Sequence, residues 1–297
     1  MRHGRNERVE APYARLETLR PGIGRLLARN PSPYTYTGTQ TYLLGDAAEV
    51  VVVDPGPALE AHVEAILAAI GRRAVRAIAC THTHRDHSPA SRPLKAATGA
   101  PIIGCAPLCL DDDGPRADAS FDADYAPDRV LGDGDALVVD GHEMVAVATP
   151  GHTSNHLCFA YRGGLMTGDH VMGWSTSVIV PPDGDMGAYL RSLDKLRGRE
   201  EDEVYYPAHG PEIDRPHRLV RHLIGHRLSR EKQIYKAVAA GADDVPGIVA
   251  ACYPGLDERL VAAAGGTVRA HLIELARRGS VEEVEGRWIA RQQEDPA

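Results

Sequence analysis

Thr81-His82-Thr83-His84-Arg85-Asp86-His87 is the stretch on which the reading of this chain turns. An apolar run, Ala77-Ile78-Ala79-Cys80, precedes it and reads as a buried strand. The seven residues therefore fall where a strand ends and a loop begins, a place where chemistry gathers in α/β proteins. Side chains alternate along an extended segment, so His82, His84 and Asp86 are expected on one side. His87 follows Asp86 directly and points elsewhere unless the chain turns there. One short segment can thus serve two neighbouring metals, His82 and His84 the first, Asp86 and His87 the second. Neutral imidazole and carboxylate suit zinc, with iron or manganese as alternatives. A solvated, His-rich loop is the competing reading, and four potential ligands within six residues argue against it.

Three later stretches carry further candidate ligands. Thr149-Pro150-Gly151-His152-Thr153 follows an apolar run at 144–148, and Pro207-Ala208-His209-Gly210 follows a strand-like run at 203–206. Between them stands Thr167-Gly168-Asp169-His170. His-x-His-x-Asp-His after a strand, followed in order by these three stretches, resembles the metallo-β-lactamase fold superfamily. The resemblance runs from about residue 30 to about residue 215, and the whole set is far more specific than any member.

That resemblance implies an α/β fold, a four-layer αββα sandwich. It implies one metal held by His82, His84 and His152, a second held by Asp86, His87 and His209, and Asp169 bridging the two. The cofactors would be two divalent ions, zinc foremost. The activity implied is a dinuclear-metal-dependent hydrolase using a metal-bridging hydroxide, with Asp86 as the catalytic residue that holds the nucleophile in line. An ester, thioester or lactone is the substrate class, as in the similar hydroxyacylglutathione hydrolase. Two dications less two carboxylates and a hydroxide leave about +1, which favours an anionic or polarised small molecule. Lactamases of this fold often carry cysteine at the bridging position, so Asp169 disfavours antibiotic hydrolysis.

Composition agrees with a globular hydrolase. The chain has 297 residues, 43% hydrophobic and 25% charged, with a net charge of −8. No run approaches the roughly 18 apolar residues that span a bilayer, so no membrane partner is expected. The first 30 residues scatter arginine with no apolar stretch, do not read as a signal peptide, and favour a cytoplasmic location. Five irregularly spaced cysteines (80, 105, 109, 158 and 252) read as reduced thiols rather than a disulfide framework. Cys105 and Cys109 could join histidines on a metal, but core or loop thiols are the expectation.

In chain order, residues 1–30 read as an N-terminal arm broken by prolines, and residues 31–214 as the catalytic domain. A strand is expected over 35–44, ending in a Gly45-Asp46 turn. The Val50-Val51-Val52-Val53 run closes on Asp54, which the resemblance places beneath the metal loop; a plain strand-end turn is the alternative. Helical spacing covers 58–70 and 88–98, with a short strand at 101–104. Residues 111–128 hold seven aspartates and read as a surface loop outside the metal cleft. Strands are expected at 137–139 and 144–148, with His142 exposed in the turn between them. A hairpin of 157–161 and 165–166 closes on Arg162-Gly163-Gly164, and His156 reads as a structural hydrogen-bonding residue.

The stretch 168–196 resembles the bacterial branch related to β-lactamase-like protein 2, a group that includes an endoribonuclease. Gly173-Trp174-Ser175-Thr176-Ser177 leaves the bridging aspartate directly, so Ser175 and Thr176 are candidate substrate contacts; a self-satisfied turn is the alternative. Cleavage of single-stranded RNA is accordingly the second functional reading. A binding protein that merely keeps the fold is disfavoured by the complete ligand set.

Residues 215–297 change character. Helices are expected over 217–240, 245–253 and 259–279, the last weakened by Gly265-Gly266, then a hairpin over 281–289 turning at Glu285-Gly286. This is a small winged-helix-like arrangement, which members of the resembled group carry. Seven Arg or Lys against one Glu between Arg215 and Lys236 make a local basic patch, yet 217–297 holds 12 basic and 11 acidic residues. A duplex binder is usually more basic, so a lid or a homodimer contact is the preferred role.

Overall fold

The computed structural model describes residues 11–108 and 121–291. The run Val50-Val51-Val52-Val53 sets its layering. It forms most of β4 (Glu49–Val53), and all four side chains are fully buried. Alternation sends Val50 and Val52 to one face, against Ile66, Ile70 and Leu94. Val51 and Val53 face the opposite way, among Tyr42, Met144, Phe159 and Tyr206. A strand apolar on both faces must lie inside a multilayer structure.

The first sheet runs in the order β1 (Glu17–Arg20), β2 (Ile23–Leu27), β3 (Gln40–Leu44), β4, β5 (Ala74–Cys80), β6 (Ile102–Gly104) and β7 (Arg129–Val130). Helices α1 (Glu60–Ile70) and α2 (Ser91–Thr98) supply the outer face, through Ile66, Ile70 and Leu94. The second sheet holds β8 (Ala136–Val139), β9 (His142–Ala148), β10 (Leu157–Tyr161), β11 (Gly164–Gly168) and β12 (Val204–Pro207), in the spatial order β12-β11-β10-β9-β8. Its outer face, Val147, Cys158, Leu165 and Tyr205, meets Leu193 and Leu196 of α3 (Met186–Arg197) and Val220 and Leu223 of α4 (Pro216–Ala239). The result is the expected four-layer αββα sandwich.

Several local expectations change. Residues 17–27 are not an arm: β1 and β2 pair antiparallel and extend the first sheet beyond β3. Pro12 and Pro21 lie outside both strands, Pro21 in the turn between them, so neither removes a ladder hydrogen bond. The strand expected from residue 35 begins only at Gln40. Asn30 reaches across the preceding loop, accepting from the Thr39 amide at 2.9 Å and donating to the Thr39 hydroxyl at 2.9 Å. His142 is exposed but is the first residue of β9, the turn being Asp140-Gly141. Most of the aspartate-rich loop, with Cys109, lies outside the described residues. Its described end is not remote from the histidine motif, since the buried Asp122 accepts from Ser88 Oγ at 2.9 Å and from Arg92 at 2.7 Å.

Beyond α4 come α5 (Val245–Cys252), a 3-10 turn (Glu258–Leu260), α6 (Val261–Arg277), and the hairpin of β13 (Val281–Val284) and β14 (Arg287–Ala290). Helix α4 belongs to two cores. Its first half packs Val220 and Leu223 on the sandwich, and its second half packs Ile234 and Val238 against Ile248, Leu272 and Trp288. The Gly265-Gly266 pair does not break α6. A Cβ at Gly266 would stand 2.7 Å from Val180 Cγ2, so the missing side chain lets α6 close on the loop before α3. Nor is the basic run on α4 one exposed stripe. Arg227 is buried and donates to the Ser177 carbonyl, and Arg230 lies 4.0 Å over the Tyr253 ring.

Shared membership in the sandwich core is testable by stability. Leu223→Ala, at a buried site, should cost about 2–5 kcal/mol in urea unfolding. Leu228→Ala, on the exposed side of the same helix, should stay within about 0.5 kcal/mol of the parent. Equal effects would place the first half of α4 outside the core.

Candidate metal centre

Four loops converge at one rim. β10 is antiparallel to both β9 and β11, and β12 is parallel to β11, so the C-terminal ends of β9, β11 and β12 share an edge. The loops leaving them bear His152, Asp169 and His209, and β5 of the other sheet delivers the histidine motif to the same edge. Within that motif the chain does turn: the amides of His87 and Ser88 both donate to the His84 carbonyl, at 2.9 and 3.2 Å. The turn separates what strand alternation alone would group. His82 and His84 gather with His152 and Asp169, while Asp86 gathers with His87 and His209. In each group the potential donor atoms lie within 4.8 Å of one another.

Asp169 stands between the groups. Its Oδ2 is 3.6 Å from His152 Nε2, and its Oδ1 is 3.2 Å from His209 Nε2 and 3.6 Å from His87 Nε2. Asp86 Oδ2 lies 3.2 Å from His209 Nε2 and 3.3 Å from His87 Nε2. In the first group His84 Nδ1 is 3.0 Å from His82 Nε2 and 3.2 Å from His152 Nε2.

The outer nitrogens are occupied, which aims the inner ones. The Val178 carbonyl takes the Nδ1 proton of His152 at 2.7 Å, and the Gly38 carbonyl takes that of His209 at 3.2 Å. His87 Nδ1 meets Asp54 Oδ2 at 3.0 Å, and His82 Nδ1 meets Thr81 Oγ1 at 3.0 Å. Such partners set the tautomer and ring orientation of a ligating imidazole. Asp54 is therefore more than a strand-end turn. It accepts from the Thr81 amide and the Thr81 hydroxyl, both at 2.8 Å, and orients His87. Its backbone adopts φ 48° to do so. Thr39 performs a similar service, donating its hydroxyl to Asp86 at 3.0 Å.

Burial and charge divide the cluster. Burial, then the neighbouring His87 and His84, push His82 well below the usual imidazole value, leaving a neutral imidazole. Burial would raise Asp169, but His209 and His87 hold it well below the carboxylate range. Burial would likewise lower His209, yet Asp169 and Asp86 raise it to about 10. His87 Nε2 and Asp169 Oδ1 are buried without a hydrogen bond, and such groups are costly unless something else satisfies them. Divalent cations fit this donor set of imidazole and carboxylate.

His156 is buried and stands beside the centre: it accepts from the Asp169 amide at 3.2 Å and pairs with Thr149 Oγ1 at 2.9 Å. Gly168 makes room for it at φ 49°, because a Cβ there would lie 2.7 Å from both His156 Nε2 and Thr81 Oγ1. Cys105 stays apart from both donor groups; burial raises its thiol to about 12. Cys109 lies outside the described residues. A cavity of about 860 Å³ opens over the centre, with Asp86, Asp169, His84, His152 and His209 among its lining. Ser175 and Thr176 also line it. Trp174 stacks on Tyr36 at 5.1 Å beside them. Leu260 and Ala263 complete the far side, and no sequence pattern singles out these two, Thr39 or the Val178 carbonyl.

An αββα sandwich with this His and Asp set at the strand ends defines a metal-dependent hydrolase of the metallo-β-lactamase type. The chain belongs to the metallo-beta-lactamase superfamily, whose pattern it matches over residues 34–209. A beta-lactamase associated winged helix domain matches residues 245–288. The chain is 32% identical to a beta-lactamase-like protein 2 homolog of Caenorhabditis elegans, over 75% of this chain and 73% of that protein. It is 29% identical to an atrochrysone carboxyl ACP thioesterase of Paecilomyces divaricatus, over 76% of this chain and 68% of that protein. In fold it is similar to a metallo-beta-lactamase family protein of Thermus thermophilus, with a TM-score of 0.75, 24% identity, and 92% of this chain and 100% of that one covered.

Removing the acceptor beneath His87 should loosen the centre without touching a donor atom. Asp54→Asn is expected to weaken zinc affinity about 10–100-fold in a chelator competition, the usual cost of losing such a partner. Unchanged affinity would show that Asp54 does not orient His87.

Proposed function

We propose that this protein hydrolyses acyl thioesters, with activated esters and lactones as related substrates, at a paired divalent-metal centre. His82, His84 and His152 would hold one ion, Asp86, His87 and His209 the other, and Asp169 both; zinc is the metal that best suits these ligands. The observation that carries the reading is the position of Asp169, its two oxygens turned toward different donor groups. Two bound dications would polarise the substrate carbonyl and acidify water near neutral pH.

The chain's own residues supply the rest. Asp86 lines the cavity and is held by Thr39, so its carboxylate can orient the attacking water and accept its proton. Val178 and Gly38 keep His152 and His209 in one tautomer through the reaction. A thioester suits the site because its leaving thiolate is a weak base and departs without a proton. The thioesterase named among the relatives supports this class. Single-stranded RNA is the rival substrate. Against it, the cations lining the cavity among the described residues are Arg85 and Arg259, and Arg259 is paired with Asp257 at 2.7 Å. The four described cysteines are unpaired thiols, in keeping with a cytoplasmic setting. Among the described residues no helix is long and apolar enough to cross a membrane.

Protein purified without chelators should contain two divalent ions per chain by elemental analysis. Asp169→Ala should lose one of them and at least about 100-fold in thioester turnover, since one carboxylate orders both ions. A panel of thioester, lactone, phosphodiester and single-stranded RNA decides the class. Turnover of RNA alone would replace the thioester reading, and full activity without metal would remove both.

A further inference from the structure

The cavity extends well past the donor cluster. From His84 and His152 it reaches the 3-10 turn and the start of α6, so the C-terminal region forms its far wall. That wall is apolar: Met172, Val178 and Val180 from the loop after Asp169, facing Leu260, Ala262 and Ala263. Large apolar groups also stand at the rim instead of in the core, with Tyr34 51%, Trp174 37% and Leu260 38% exposed. Exposed apolar surface gathered beside a catalytic cluster marks a site for an apolar ligand.

The wall is fastened to the sandwich. Arg227 of α4 donates to the Ser177 carbonyl, and Arg277 of α6 donates to Asp185, the residue that caps α3. Gly266 brings α6 against Val180, so a bulkier residue there would push apart the two sides of the wall. Ties at three places describe a fixed surface more than a lid that swings. A rigid apolar surface discriminates by size, because a packed wall yields little to an oversized group. Ala262 and Ala263 contribute only small side chains to this wall.

We propose that this wall is the acyl pocket: the substrate carbonyl sits at the His and Asp cluster, and a hydrocarbon-rich aliphatic acyl chain lies along Val178 and Val180 against Leu260 and Ala263. The proposal rests on the thioesterase reading and adds the acyl class and the residues that select it. The charge pattern agrees, since the Arg259–Asp257 pair cancels at the wall and leaves no cationic run there for a phosphate chain. Residues of the C-terminal region would thereby set the specificity of a reaction whose donor groups all lie upstream.

The test compares acetyl and decanoyl thioesters of N-acetylcysteamine, with metal content measured for each variant. The parent should prefer decanoyl over acetyl at least tenfold in kcat/KM. Ala263→Phe, which adds bulk to the wall, should cut that preference at least tenfold. Leu260→Asn, at a half-exposed position where folding is little at stake, should shift it the same way. Titration calorimetry with a decanoyl thioether, which cannot be hydrolysed, reads the pocket without turnover. Binding that weakens at least tenfold in Ala263→Phe supports the wall even if no thioester is cleaved, in which case only the thioesterase reading falls. Thioester turnover with no chain-length preference, or with a preference unmoved in both variants, would overturn the acyl pocket while leaving the activity standing.

Discussion

Imidazoles and carboxylates crowded into one buried rim must each be turned the right way, and the Asp54–His87 pair shows how this protein does it. A buried imidazole left without partners costs stability, and one with the wrong nitrogen outward cannot donate to its neighbours. Asp54 takes His87 Nδ1 on one side and the Thr81 amide and hydroxyl on the other. It thereby ties the end of β4 to the end of β5, strands that already run parallel side by side. The motif loop is thus clamped at both its first and its last residue. Carbonyls of Gly38 and Val178 do for His209 and His152 what Asp54 does for His87, from segments far apart in the chain.

The sandwich makes this convergence affordable in physical terms. Two sheets pressed together by the Tyr42, Phe159 and Tyr206 layer bring strand ends from both halves of the chain to one edge. Loops then need to span only a few residues to bring their His and Asp side chains together, and short loops lose less entropy on ordering. Helix α4 adds a second level of organisation. It packs on the sandwich with one half and on the C-terminal helices with the other, so it joins the cavity's far wall to the sandwich. The same helix buries Arg227, whose bond to Ser177 steadies the segment that supplies the Val178 carbonyl to His152.

Much of this was legible in the residues themselves. The periodicity of 50–53, 58–70 and 77–80 marked a buried strand, an amphipathic helix and a second strand, because burial on one or both faces leaves a period that sequence records. Glu285-Gly286 and Arg162-Gly163 marked two hairpins, since a tight turn needs left-handed backbone and each pair supplies a glycine for it. The seven His and Asp side chains of the two clusters stood out in the sequence as a set, because a metal-binding pattern restricts residue type so severely. What misled was the proline count near the N-terminus: proline forbids a central ladder position but tolerates a turn, and sequence alone does not say which it occupies.

Tertiary structure decided the rest. Whether His87 joined Asp86 or pointed away depended on a turn closed by the His84 carbonyl, a contact that no side-chain pattern encodes. The carbonyl of Val178 became a partner of His152 only because α4 pins its loop, and backbone groups carry no sequence signature at all. Gly265-Gly266 read as a weak point in a helix, and packing turned it into the place of closest approach to Val180. Leu260 and Ala263 look like ordinary helix residues until α6 is laid over the cavity. The amino-acid sequence by itself determined the fold and the donor atoms, through local periodicity and ligand chemistry. The tautomers, the division of the His and Asp residues into two groups and the shape of the pocket arose from contacts between segments distant in the chain, which only the folded structure brings together.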